Sequence, residues 1–301
     1  MLFVCLPKGS DIWYHVEQMT VIAIWLNKEE ADERIWAVSD SRVSQTKKDT
    51  TDLLTDHGIK IFSVPVIVKS PNYNTGFFTE KIIDTSIGLC CAGSSLVALN
   101  LYATISPVFS QLILVDKLPS LGDIARTIKS VLENITKSRL NNSRIGEEYK
   151  HFVEAAIFGY CLVTQKFRIF YLSTSTGTNG IVINLMEQDL SKDDYILLLG
   201  DGKLNAKLKI AEERKTNFKL GTLKERFKWW RAPYHTIIKI ITSSNQNSTV
   251  GGSHLKGIAN KNGFNVYRNL PRENQYLDLF KGTEKIGPCE TGMMMGPLPI
   301  E

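Results

Sequence analysis

Short apolar runs of strand length alternate along this chain with charged or polar turns. Thr20 to Leu26 (TVIAIWL) is rich in β-branched residues and predicts a strand. After the charged turn from Asn27 to Arg34, Ile35 to Val38 resumes as its hairpin partner. Lys47 to Asp56 is polar and reads as helix or loop. Ile59 to Val68 predicts a third strand, with Pro65 marking an edge or a bulge because proline cannot donate to a ladder. Ile87 to Ala92 predicts a fourth, and Gly93-Ser94-Ser95 turns the chain into an apolar helix ending near Ser106.

Leu121 to Ser138 repeats its apolar residues at helical spacing through Ile124, Ile128, Val131, Leu132 and Ile135. Ala155 to Val163 and Phe167 to Leu172 predict a hairpin turning at Thr164-Gln165-Lys166. Strands follow at Ile181 to Leu185 and Tyr195 to Leu199, the second running into Gly200-Asp201-Gly202. Thr236 to Ser243 ends a third helix. Val250-Gly251-Gly252 leads to a last strand pair near His254 to Ala259 and Phe264 to Tyr267. The tail from Gly282 reads as irregular and surface-laid. There is no internal repeat and no linker rich in Gly, Ser or Pro, so the order predicts one α+β domain, its hairpin-built sheets covered by helices.

Composition narrows the class. With 43% hydrophobic and 22% charged residues over 301 positions, disordered, collagen-like and disulfide-scaffold chains are excluded. Five cysteines, an odd number without a CxxC pair, point to reduced thiols and a cytoplasmic chain. The opening MLFVC is too short for the apolar region of a secretion signal. From Ile87 to Val115 no residue is charged, a length that could span a bilayer. Ser94, Ser95, Asn100, Ser106, Ser110 and Gln111 fall within it, so a strand, a turn and a buried helix explain it better than a membrane span.

Net charge is only +5. The segment from Lys203 to Arg231 nevertheless holds ten Lys or Arg against three Glu, with Trp229 and Trp230 near its end. It suits either a single-stranded nucleic-acid patch or a solvated helix face anchored by its tryptophans, and the near-neutral remainder favours the second. Phosphate loops, dinucleotide fingerprints and nucleophile elbows are absent from the sequence. His15, His57, His151, His235 and His254 lack paired metal spacing. Cys90 and Cys91 point to opposite faces of one strand and read as small buried hydrophobes.

What remains is an arrangement. Thr20 opens a strand, Asp40 ends its partner in an SDSR stretch, Lys60 sits inside an apolar strand, and Gly93 stands at a strand-to-helix turn. In these stretches (TVIAI, AVSDSRVS, GIKIF and LCCAGSSLVAL) the chain resembles the proteasome β-subunit family of N-terminal nucleophile hydrolases. It looks most like the bacterial proteasome-related branch whose chains begin Met-Thr.

The resemblance implies a four-layer αββα sandwich over 20–267, with 1–19 as a leader or a mis-called start and 268–301 as an irregular extension. It implies threonine-type peptide or amide hydrolysis of a peptide or protein substrate. Thr20 would be the nucleophile and, through a free α-amine, its own base. Asp40 and Lys60 would tune charge, and the Gly93 N–H would donate to the oxyanion. Met19 would have to be removed, which methionine aminopeptidase does when Thr follows. Asp201 stands where the family carries a turn serine, and Asn247 where it carries a supporting Asp; both are supporting candidates that depart from the pattern. Assembly of identical copies into a ring or open spiral is implied, and no metal or organic cofactor. The alternative is a catalytically silent assembly protein on the same fold.

Overall fold

The computed structural model describes residues 20–29, 32–47, 50–72, 74–142, 153–177, 180–217, 221–244 and 248–268. The first part of the chain forms β1 (Ile22–Asn27), β2 (Arg34–Asp40), β3 (Val43–Lys47), β4 (Thr50–Thr55), β5 (Ile61–Ser70), β6 (Glu80–Gly93), α1 (Ser95–Phe109), β7 (Leu112–Ile113) and α2 (Leu121–Asn142). The second part forms β8 (Val153–Cys161), β9 (Lys166–Gly177), β10 (Gly180–Glu187), β11 (Leu197–Leu199), α3 (Lys203–Lys215), α4 (Leu223–Ser243), β12 (His254–Asn260) and β13 (Gly263–Arg268).

These elements make two sheets. One runs β11-β1-β2-β12-β13 and the other β10-β9-β8-β6-β5-β7, while β3 and β4 pair only with each other. Three apolar clusters define four layers. Ile22, Ile24, Ile35 and Ala37 meet Ala156, Phe158 and Ile169 between the sheets. Val21, Ala23, Trp25 and Val38 pack outward against Ala206, Ile210 and Ile237 of α3 and α4. On the far side, Leu89, Cys91 and Ile157 pack against Val97, Leu101, Ile124 and Ile128 of α1 and α2. The unbroken apolar run of β1 follows from this: both of its faces are buried. The expected αββα sandwich is what the chain forms.

Glycine makes the inter-sheet contact fit. Phe158 and Phe264 meet edge to face at 5.2 Å across the two sheets. A side chain on Gly88 would strike the Phe158 ring at 2.4 Å, so only glycine leaves the ring its place.

The structure departs from the sequence reading in two regions. The polar stretch 47–56 contributes β4 and the end of β3 rather than a helix or loop. This hairpin stands outside both sheets, Asp52 to Thr55 on it are exposed, and it has no apolar alternation to reveal it. The basic region also holds two helices, not one. Helix α4 starts at a capping box in which the Thr222 hydroxyl accepts from the Glu225 N–H and Glu225 accepts from the Thr222 N–H. Helix α3 buries Ala206 and Ile210 while Leu204 and Leu208 are exposed, which blurs its periodicity.

Elsewhere boundaries move but identities hold. Strand β6 begins well before Ile87, and α1 runs on through Pro107. Pro65 lies on β5 beyond the two residues that β7 pairs with, Val68 and Lys69, where no ladder bond is lost. Among the described residues no helix is long and apolar enough to cross a membrane. The expected leader at 1–19, and the tail from Gly282 within the expected extension, lie outside the described residues; of that extension only Arg268 is described, as the end of β13.

Candidate active site

Three of the four singled-out residues meet at one end of the inter-sheet space. The Lys60 ammonium donates to the Thr20 hydroxyl at 3.0 Å and to Asp40 Oδ1 at 2.9 Å. Asp40 is fully buried and Lys60 almost so. Each comes from a different strand: Thr20 leads into β1, Asp40 ends β2, and Lys60 immediately precedes β5, so the sandwich itself closes the triangle.

Asp40 is held from both sides. Its Oδ1 also accepts from the Val21 N–H at 3.1 Å, and its Oδ2 accepts from the Arg42 and Gly251 N–H groups, each at 3.3 Å. Burial disfavours both charges of the pair. It pushes the Lys60 ammonium below its ordinary value and the Asp40 carboxyl above its own, while the attraction between them and the backbone N–H groups on Asp40 act the other way.

Gly93 is placed by strand register. The Cys91 N–H donates to the Lys60 carbonyl at 3.0 Å, so Gly93 lies two residues beyond the strand neighbour of Lys60. Its φ of +103°, a value that favours glycine, ends β6, and Ser94 then caps α1 by accepting from the Val97 N–H. Cys90 and Cys91 are buried as expected, and burial pushes the Cys91 thiol up to about 12, which makes it inert as a nucleophile.

The Gly200-Asp201-Gly202 turn packs directly on Thr20. The Gly202 N–H donates to the Thr20 carbonyl at 3.3 Å. Gly200 has φ +84°, and a Cβ there would lie 2.0 Å from that carbonyl oxygen. The Asp201 side chain, between them, is exposed. Asn247 lies outside the described residues; its neighbour Ser248 accepts from Arg42 Nη1 at 2.8 Å.

Two features escaped the sequence reading. Arg42 forms a bidentate pair with Asp56, Nε to Oδ1 at 2.6 Å and Nη2 to Oδ2 at 3.1 Å, which braces the bend after Asp40. Glu154 on β8 accepts from the Gly200 N–H, the Lys203 ammonium and the Tyr171 hydroxyl, each at 2.7 Å. A lone carboxylate in an apolar strand was the available signal for Glu154, the same signal that picked out Lys60.

Trp229 and Trp230 are buried: the Trp25 indole N–H donates to the Trp230 carbonyl at 3.0 Å, and Arg214 stacks over Trp229. They anchor α4 and offer no face for base stacking. Among the described residues no group of His, Cys, Asp and Glu is arranged to hold a metal ion.

No protein-family profile and no curated protein matches the chain. Among solved structures it is similar to the helical assembly of the Anbu complex from Pseudomonas aeruginosa, with 13% identity over 92% of this chain and 98% of that chain, at a TM-score of 0.53. It is also similar to a Gly-1 mutant of Anbu from Hyphomicrobium sp. strain MC1, with 14% identity over 87% of this chain and 92% of that one, at a TM-score of 0.49. The likeness to the Anbu complex corrects the placement in the proteasome β-subunit family, because Anbu is a related but distinct proteasome-like family. At this identity the likeness speaks for the fold: the chain has the N-terminal nucleophile hydrolase fold that Anbu also has.

Proposed function

We propose that this chain is a threonine-type peptide or amide hydrolase of proteasome-like build, with Thr20 as its nucleophile. The observation that carries the reading is the Lys60 ammonium, shared between Asp40 and the Thr20 hydroxyl inside the sandwich. A threonine hydroxyl is a weak nucleophile and needs a base. With Thr20 as the chain terminus, its α-amine, of ordinary pKa about 8, takes the hydroxyl proton at neutral pH. The oxygen attacks the substrate carbonyl, and the Lys60 charge steadies the negative charge that builds beside it. The Gly93 N–H, at the mouth of α1, donates to the tetrahedral oxyanion, a contribution of about 3–4 kcal/mol in acyl transfer. The protonated amine then releases the leaving amine, and water cleaves the resulting ester by the same route.

This chemistry requires that the Met19–Thr20 bond be absent from the active protein, since an amide nitrogen is not basic. The test is cleavage of fluorogenic peptide amides by protein beginning at Thr20, beside the same protein retaining Met19. Activity confined to the first supports the reading, and equal activity in both contradicts it.

The second reading, a silent assembly protein, draws on Asp201: it is exposed beside Thr20, in a turn where the sequence resemblance leads one to expect a serine. Both readings include self-assembly into a ring or open spiral. Its support is the exposed apolar pair on α1, Leu96 and Leu99, 53% and 49% exposed and one helical turn apart.

A further inference from the structure

We propose that Glu154 is a positioning residue that fixes the Thr20 strand against the Gly93 strand. The inference rests on the hydrolase reading for its importance, and on backbone geometry for its content. Thr20 leads into a strand of one sheet and Gly93 ends a strand of the other, so their separation depends on the ties between the sheets at that end.

Glu154 is such a tie. On its own sheet it pairs with Ala92, the residue before Gly93. Its carboxylate reaches the other sheet and accepts from the N–H of Gly200, the residue just after β11. Strand β11 pairs with β1 through Leu199 and Ile22. The turn that Gly200 opens then returns to Thr20 itself, through the Gly202 N–H on the Thr20 carbonyl. A continuous path of strand pairing and hydrogen bonds therefore runs from Gly93 through Glu154 to Thr20.

The carboxylate is also held in place. Lys203, the first residue of α3, and Tyr171, from neighbouring β9, both donate to Oε1 and leave Oε2 for Gly200. Burial alone would raise the Glu154 carboxyl, but the bonds from Lys203, Gly200 and Tyr171 outweigh it and hold the group below the usual carboxylate range. It is thus ionised at neutral pH, and its three donors fix one rotamer.

The test uses protein beginning at Thr20 and an aliphatic β-lactone as probe. The Thr20 hydroxyl adds to the lactone carbonyl, the ring C–O bond breaks, and the freed oxygen takes the proton, so the adduct weighs the sum of both. Glu154→Leu removes every acceptor and is expected to slow labelling on the order of 100-fold, the scale of misplaced reacting groups. Glu154→Gln keeps a carbonyl oxygen for Gly200 and is expected to recover most of that loss, a rescue that lost stability alone would not produce. Hydrogen exchange reads the geometry independently: the Val21 and Gly202 amides should exchange faster together in Glu154→Leu. Wild-type labelling by Glu154→Leu, or faster exchange confined to 200–203, overturns the proposal. If wild-type protein is not labelled, the hydrolase reading falls and exchange at Val21 still decides the positioning. Should Glu154→Leu not fold, Lys203→Met should show the same paired exchange in weaker form, and wild-type exchange there overturns the proposal.

Discussion

Lys60 and Lys256 are both buried lysines, yet their surroundings give them opposite roles. Lys60 answers a buried carboxylate. Lys60→Ala leaves Asp40 inside the sandwich without its cation, and breaking a buried pair on one side costs about 3–5 kcal/mol. Urea unfolding at neutral pH should show a loss of that order, and a loss below about 1 kcal/mol, as for an exposed pair, would contradict the buried cluster. Lys256 answers aromatic rings instead, with its ammonium 3.9 Å from the Trp36 ring centre and 5.0 Å from that of Tyr234. Burial, together with the Arg231 charge and against the pull of Glu29, lowers it to about 8. Between about 8 and the unfolded value of 10.5, the unfolded chain therefore binds more protons than the folded one. This group makes stability rise with pH across that window. Comparing wild type with Lys256→Met by thermal melts from pH 7 to 10 should show the wild type gaining on the variant as pH rises. A constant difference would contradict the assignment.

At the scale of elements, the site depends on turns more than on strands. The Gly200 turn has a backbone that favours glycine and lies within contact of the Thr20 carbonyl. Gly200→Ala should cost at least about 2 kcal/mol, combining left-handed strain with a steric conflict against β1. In protein beginning at Thr20 it should also remove most hydrolysis, read as a fall in kcat. That Thr20, Asp40 and Lys60 meet was foreseen from the resemblance, since each alone is an ordinary residue at a strand end. Glu154 and the Arg42–Asp56 pair were missed because no resemblance singled them out, and their partners meet them only in the folded chain. The β3–β4 hairpin was illegible for another reason: polar strands outside the core leave no alternation.

At the scale of the whole molecule, the strand runs and the α2 repeat made an α+β domain legible, while the four-layer order came from the resemblance and was not written in the pattern: α3 exposes Leu204 and Leu208, which hides its covering face. Self-association is the property that the outer surface bears on. Leu96 and Leu99 project from α1 on the side away from the sheet, and Leu101 and Ile105 are buried against it. The double variant Leu96→Glu and Leu99→Glu should sediment as a 33.9 kDa monomer where wild type sediments as a larger species. A wild-type monomer at micromolar concentration would remove the assembly proposal.

The proposed chemistry stands on Thr20 as nucleophile, with its own amine as base. The most direct measurement is peptide mass mapping of the β-lactone adduct on two proteins differing only by Met19. A single ester on Thr20 is expected in the protein that begins there, absent from the protein retaining Met19 and from Lys60→Ala. An adduct on another residue, or one on Thr20 that forms equally well with Met19 attached, would contradict it.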